Sequence, residues 1–90
     1  MLYLVTYDIS CNKRRKKVSD LLEGYGQRVQ LSVFECVLPT KKYEELKSRL
    51  GRRVEPEDNI RIYPLSAHTL GQVEIWGKVP LSQPPKSIIV

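Results

Sequence analysis

The stretch Leu2-Tyr3-Leu4-Val5-Thr6-Tyr7-Asp8-Ile9 decides the fold of this chain. Side chains on a strand alternate between two faces. Tyr3, Val5, Tyr7 and Ile9 therefore point one way, and Leu2, Leu4, Thr6 and Asp8 the other. Both sets are largely apolar, which predicts a strand covered on both sides, with Asp8 delivered close to its end. A few residues on, Lys13-Arg14-Arg15-Lys16-Lys17 forms a run of cations where a helix should open. A lone carboxylate beside a block of positive charge suggests a metal ion and a phosphodiester.

Outward from that strand, Asn12 or Ser10 is placed to cap the first helix. Val18, Leu21, Leu22 and Tyr25 fall at helical spacing and make its buried stripe. Gly24 and Gly26 should end it through the left-handed conformation. The region Arg28 to Leu38 reads as extended, with Val29, Leu31, Val33, Glu35 and Val37 on one face and Gln30, Ser32, Phe34, Cys36 and Leu38 on the other. Pro39-Thr40 breaks it, with Thr40 as the expected cap of a second helix whose inward residues are Tyr43, Leu46 and Leu50, ending at Gly51. A polar connection through Arg52, Arg53 and Glu55-Pro56-Glu57-Asp58 leads to a strand over Asn59 to Leu65. A turn or helical segment around Ser66 to Leu70 and a further strand, Gln72 to Trp76, follow.

Read plainly, the order is β-α-β-α-β-β. A ferredoxin-like unit runs β-α-β-β-α-β, and the two agree only if Arg28 to Leu38 is two short strands. No Gly or Asn-Gly marks a turn inside that segment, so pattern alone leaves the topology open. An α/β sandwich with one helical layer is predicted either way. Gly77 to Pro85, rich in Pro and polar residues, should cross the surface as an extended linker. Ser87-Ile88-Ile89-Val90 then predicts a short edge strand, in its own sheet or, as we favour, in a partner's.

An apolar fraction of 41% suits a globular fold, and 90 residues suit one domain. No apolar run approaches membrane-spanning length and the first residues do not resemble a signal peptide, so a cytoplasmic protein without membrane contact is expected. Cys11 and Cys36 match no zinc spacing and should stay reduced. His68 reads as a surface residue. Gly-rich phosphate loops, paired-His metal motifs, nucleophile elbows and the aromatic signature of an RNA-recognition motif do not occur.

The net charge of +5 favours polyanions. Cations in the first turns of a helix oppose its dipole, at about 0.3–1 kcal/mol for each badly placed charge. A bound phosphate would reverse that penalty; an ordinary solvated face is the alternative. Asp8 likewise has two readings. It caps the following loop, or it serves a hard cation such as Mg²⁺, which needs only one or two carboxylates when waters and phosphate oxygens complete its shell. An isologous dimer would bring two copies of Asp8 together.

Tyr7-Asp8-Ile9, the basic helix start and Tyr25-Gly26-Gln27-Arg28-Val29-Gln30-Leu31-Ser32-Val33-Phe34-Glu35 resemble the CRISPR-associated protein two family, as does Asp58-Asn59-Ile60-Arg61-Ile62-Tyr63. The resemblance runs over about the first 65 residues. It implies a ferredoxin-like α/β sandwich over residues 1–78, with an antiparallel sheet, helices on one face and the Arg28–Leu38 region split. It also implies a symmetric homodimer, and the tail pattern read above makes residues 79–90 an expected C-terminal extension at its interface. The implied function is a Mg²⁺- or Mn²⁺-dependent endonuclease on RNA or DNA that also forms the dimeric centre of a complex with the CRISPR-associated integrase; the alternative is a non-catalytic DNA-binding adaptor. By the same resemblance Asp8 is the catalytic and metal-binding residue, and Arg14 and Arg15 match basic positions after the first strand; with the charge pattern, Lys13, Arg14, Arg15, Lys16, Lys17 and Arg28 are expected to contact nucleic acid. Ser32 and Phe34 lie near the dimer cleft. Cys11-Asn12 stands where many relatives carry acids, so that loop is not expected to hold metal.

Overall fold

The structure, a computed structural model, describes residues 1–83. Its elements are β1 (Leu2–Asp8), α1 (Asn12–Glu23), β2 (Gln27–Gln30), β3 (Val33–Val37), α2 (Thr40–Gly51), β4 (Asn59–Leu65) and the short α3 (Ala67–Leu70). The sheet runs β2-β3-β1-β4 and is antiparallel throughout. This is the ferredoxin-like arrangement, with β1 central: Val5 faces Phe34 of β3 and Ile62 of β4, and Asp8 faces Asn59.

The Arg28–Leu38 region is thus two strands, although it lacks turn residues. One local and one long-range bond define the break at Leu31-Ser32. The Arg28 guanidinium donates to the Leu31 carbonyl at 2.9 Å and the Tyr7 amide to the Ser32 carbonyl at 3.1 Å, while the β2–β3 register shifts between Arg28 and Gln30.

The inward face of β1 is as the alternation predicts. Tyr3, Val5, Tyr7 and Ile9 join Val18, Leu21, Leu22, Phe34, Cys36, Leu38, Leu46 and Leu50 in one core between sheet and helices. Fully burying an aliphatic side chain such as Leu46 stabilises by about 1.5–3 kcal/mol. Tyr3 stacks on Tyr43 of α2 with ring centroids 3.9 Å apart, which fixes that helix over the strand. The other face of the sheet is only partly covered: Leu2 is buried, Leu4 and Thr6 are half-buried, and Asp8 is exposed.

Four sequence expectations need correction. Neither Asn12 nor Ser10 caps α1; Cys11 occupies that position, its carbonyl accepting from the Arg15 amide, and the Asn12 side chain is taken up by the Arg15 guanidinium. Pro39, not Thr40, precedes α2, because its extended backbone turns the chain and its carbonyl accepts the Tyr43 amide. Gly24 is right-handed, and Gly77 alone among the described glycines has positive φ. Gly26 is needed instead for close approach, since a Cβ there would lie 2.5 Å from Cys36 Sγ and closer still to the Glu35 carbonyl. Finally, Gln72–Trp76 forms no strand. It passes beside Val29, Gln30 and Glu35 without pairing, leaving Trp76 93% exposed. Residues 87–90 of the expected edge strand lie outside the described residues.

Candidate nucleic-acid and metal site

Where β1 ends, α1 begins and the β2–β3 turn folds back, a groove of about 540 Å³ opens, lined by Asp8, Arg15, Lys16, Arg28 and Ser32 among others. Three separate segments supply these groups, and each side chain is held by its own local chemistry. Arg15 donates to the Ile9 carbonyl at 2.9 Å and to Asn12 Oδ1, which ties the loop to the first turn of the helix. Arg28 lies over the Phe34 ring, 5.1 Å from its centroid, and donates to Ser19 Oγ and the Leu31 carbonyl. Lys16 pairs with Asp20 at 3.0 Å across one helical turn.

Asp8 differs from all of them. Its carboxylate is exposed and accepts no hydrogen bond and no ion pair among the described residues. Neither the loop nor the helix terminus uses it as a cap. The groove therefore offers an uncommitted hard oxygen donor among cations, with the Ser32 turn opposite.

The cation run divides by function. Arg14 is committed to structure: Nε and Nη2 donate to the two oxygens of Asp58 at 2.8 and 3.0 Å, and the Asp58 side chain is 1% exposed. That bidentate bond, followed by the Glu55 amide at 2.9 Å, holds the Asp58 carboxyl below the usual range, and the same bond raises Arg14. Arg15 and Lys16 face the Asp8 groove, Lys17 lines a different one, and Lys13 is exposed. Phe34, expected near a dimer cleft, has its ring fully enclosed in this chain's own core, where it acts as the platform for Arg28.

The groove residues missed in the sequence are Asn12 and Ser19. Their spacing from Arg15 on the same helix is the signal that could find them, three positions for Asn12 and four for Ser19. Cys11 is half-buried, with its thiol drawn below the ordinary range chiefly by the Arg14 amide, while burial pushes Cys36 up to about 11.

The carboxylate of Asp8 and the hydroxyl of Ser32 belong to the oxygen class that Mg²⁺ and Mn²⁺ take. No group of three or more His, Cys, Asp and Glu forms among the described residues. The residues accordingly fit such an ion only as part of a donor set, to which this chain would contribute Asp8 and Ser32. The surrounding cations disfavour a dication alone.

Residues 1–73 match the family described as CRISPR associated protein Cas2. Over 99% of its length the chain is 59% identical to CRISPR-associated endoribonuclease Cas2 3 of Synechocystis sp., covering 98% of that protein. The crystal structure of Streptococcus pyogenes Cas2 at pH 6.5 superposes with a TM-score of 0.74 at 38% identity, over 86% of this chain and all of that one. A chain of the partial Cas6-RT-Cas1–Cas2 complex gives a TM-score of 0.77 at 34% identity, over 92% and 98% of the two chains. Among the described residues no helix is long and apolar enough to cross a membrane.

Proposed function

The chain belongs to the Cas2 family of CRISPR-associated proteins, and from that premise we propose that it is a divalent-metal-dependent endonuclease of RNA or DNA, working as a homodimer within an adaptation complex. The observation that carries the proposal is the exposed, unpartnered carboxylate of Asp8 in a groove with Arg15, Lys16 and Arg28.

Asp8 from each of two subunits would hold the metal, which when bound supplies charge neutralisation at the scissile phosphate and a polarised water. Arg15 and Arg28 orient the phosphodiester, because their guanidinium groups are fixed by Ile9, Leu31 and Phe34 and lose little freedom on binding. Their charge is preorganised where negative charge builds up in an in-line displacement.

Several features support the dimer. Leu31, 83% exposed, borders the Asp8 groove, and Val73, Ile75 and Trp76 form a further exposed apolar group. A second copy seated there would bury both and bring the two Asp8 residues together. The extension begins on the chain's own sheet, where the Ser82 amide donates to Glu35 Oε1 at 3.0 Å, and the edge strand expected over residues 87–90 lies outside the described residues. The names of the relatives support the nuclease reading. Likeness to a chain of a Cas1–Cas2 complex supports a second reading, a DNA-binding adaptor for the Cas1 integrase.

Wild type and Asp8→Ala, tested side by side for cleavage and for assembly with the integrase, separate the two. Loss of cleavage with assembly intact is the expected result; equal cleavage by both removes the nuclease reading. Sedimentation at micromolar concentration should give a dimer, and a monodisperse monomer contradicts the shared site.

A further inference from the structure

The geometry points to a second phosphate-binding track in the groove between α1 and α2, lined by Lys17, Arg49, Arg52 and Arg53, which carries the backbone of a nucleic acid over the helical layer. The track rests on the proposed nucleic-acid function but uses none of the residues of the Asp8 groove.

This second groove, of about 530 Å³, is bounded by those four cations with Asp20 and Leu21. Three of them come from the end of α2 and the residues just after it, and Lys17 comes from α1, so two elements converge one sign of charge on one place. Asp20, the acid in the lining, is already paired with Lys16. None of the four cations takes part in an ion pair among the described residues. Arg49 donates to Tyr25 Oη at 2.9 Å, Arg52 to Ser48 Oγ at 3.1 Å and Arg53 to the Arg49 carbonyl at 2.9 Å. Each guanidinium is thus oriented by an uncharged oxygen and keeps further N–H groups for a ligand.

A helix C-terminus favours a nearby cation, which accounts for Arg53 on the Arg49 carbonyl. It covers Arg49 in the last turn and Arg52 at the C-cap as well, but not Lys17, which belongs to the other helix. Beyond that helix-end gain, four cations gathered around one lining carboxylate, Asp20, repel one another. An external polyanion offsets that repulsion. Lys16 and Lys17 are adjacent on α1 and separated by about 100° around its axis, so one lines the Asp8 groove and the other this groove. A backbone leaving Asp8 finds the second set of cations around the same helix.

The test is duplex DNA of random sequence bound in the absence of divalent ions, with affinity followed against salt. It compares wild type, Arg52→Gln/Arg53→Gln, Arg52→Lys/Arg53→Lys and Lys41→Gln/Lys47→Gln, the last being a charge-matched change elsewhere on α2. The Gln pair should weaken binding uniformly across sequences and flatten the log–log salt slope by about 0.9 for each phosphate no longer neutralised. The Lys pair should restore most of the slope, and the Lys41/Lys47 pair should keep it. A wild-type slope in a folded Gln pair overturns the track while leaving the Asp8 reading in place. Equal flattening by the Lys41/Lys47 pair also overturns it, since net charge would then suffice. Absence of salt-dependent binding in wild type overturns both the track and the nucleic-acid reading.

Discussion

Asp8 and Asp58 are near neighbours in space with opposite occupations. Asp8 ends β1 opposite Asn59, and Asp58 directly precedes that residue. Asp58 is enclosed, doubly bonded to Arg14 and bonded again by the Glu55 amide. Asp8 is exposed, and its carboxylate bonds to nothing among the described residues. The same side chain is a structural tie in one place and an available ligand beside it. What distinguishes the two is whether the fold brings a guanidinium within reach, not the residue type or its distance from a strand end.

The sharpest challenge to that contrast is Arg14→Ala. It leaves Asp58 enclosed without its cation, so the melting temperature should fall by several degrees, a larger loss than from breaking any exposed ion pair. Asp58→Asn should cost less, since an exposed route to water remains for Arg14, which is 25% exposed. The contribution has a defined pH dependence. A carboxyl lowered in the folded state stabilises fully above its unfolded value, about 3.9, and the gain is lost as pH falls through the lowered folded value. Arg14→Ala should therefore shrink the acid limb of a plot of melting temperature against pH; an unchanged limb would remove Asp58 as its source.

Lys16→Ala, which breaks an exposed pair along α1, should cost only about 0.3–0.5 kcal/mol by urea denaturation. Asp8→Asn should cost nothing, and should raise the melting temperature slightly if two carboxylates face each other across a dimer axis without metal. A destabilisation by Asp8→Asn as large as that of Asp58→Asn would collapse the contrast.

The same contrast explains what can be read from the sequence. Alternation identifies the core face of β1, and helical spacing finds Val18, Leu21 and Leu22, because those patterns are local. Asp8 is also legible, as the polar residue terminating an apolar strand. The role of Arg14 is not, since its partner lies 44 residues away and nothing near Arg14 distinguishes it from Arg15. The break at Leu31-Ser32 is hidden in part for a related reason: the Tyr7 amide, distant in sequence, holds that turn together with the nearby Arg28, where a hairpin would ordinarily use Gly or Asn. Val73 and Ile75 carry a strand pattern that stays unpaired even though the segment passes beside Val29 and Gln30 of the edge strand β2.

If Asp8 is free for chemistry while Asp58 is committed to the fold, removing the charge of each must have opposite consequences. The most direct measurement is divalent-dependent cleavage by Asp8→Asn and Asp58→Asn, side by side with wild type, at a temperature where all three are folded. Asp8→Asn should fall to background, because a neutral amide competes poorly for a hard dication held by so few protein oxygens, and Asp58→Asn should cleave near the wild-type rate. Wild-type cleavage by a folded Asp8→Asn would contradict the assignment of Asp8 as the metal ligand.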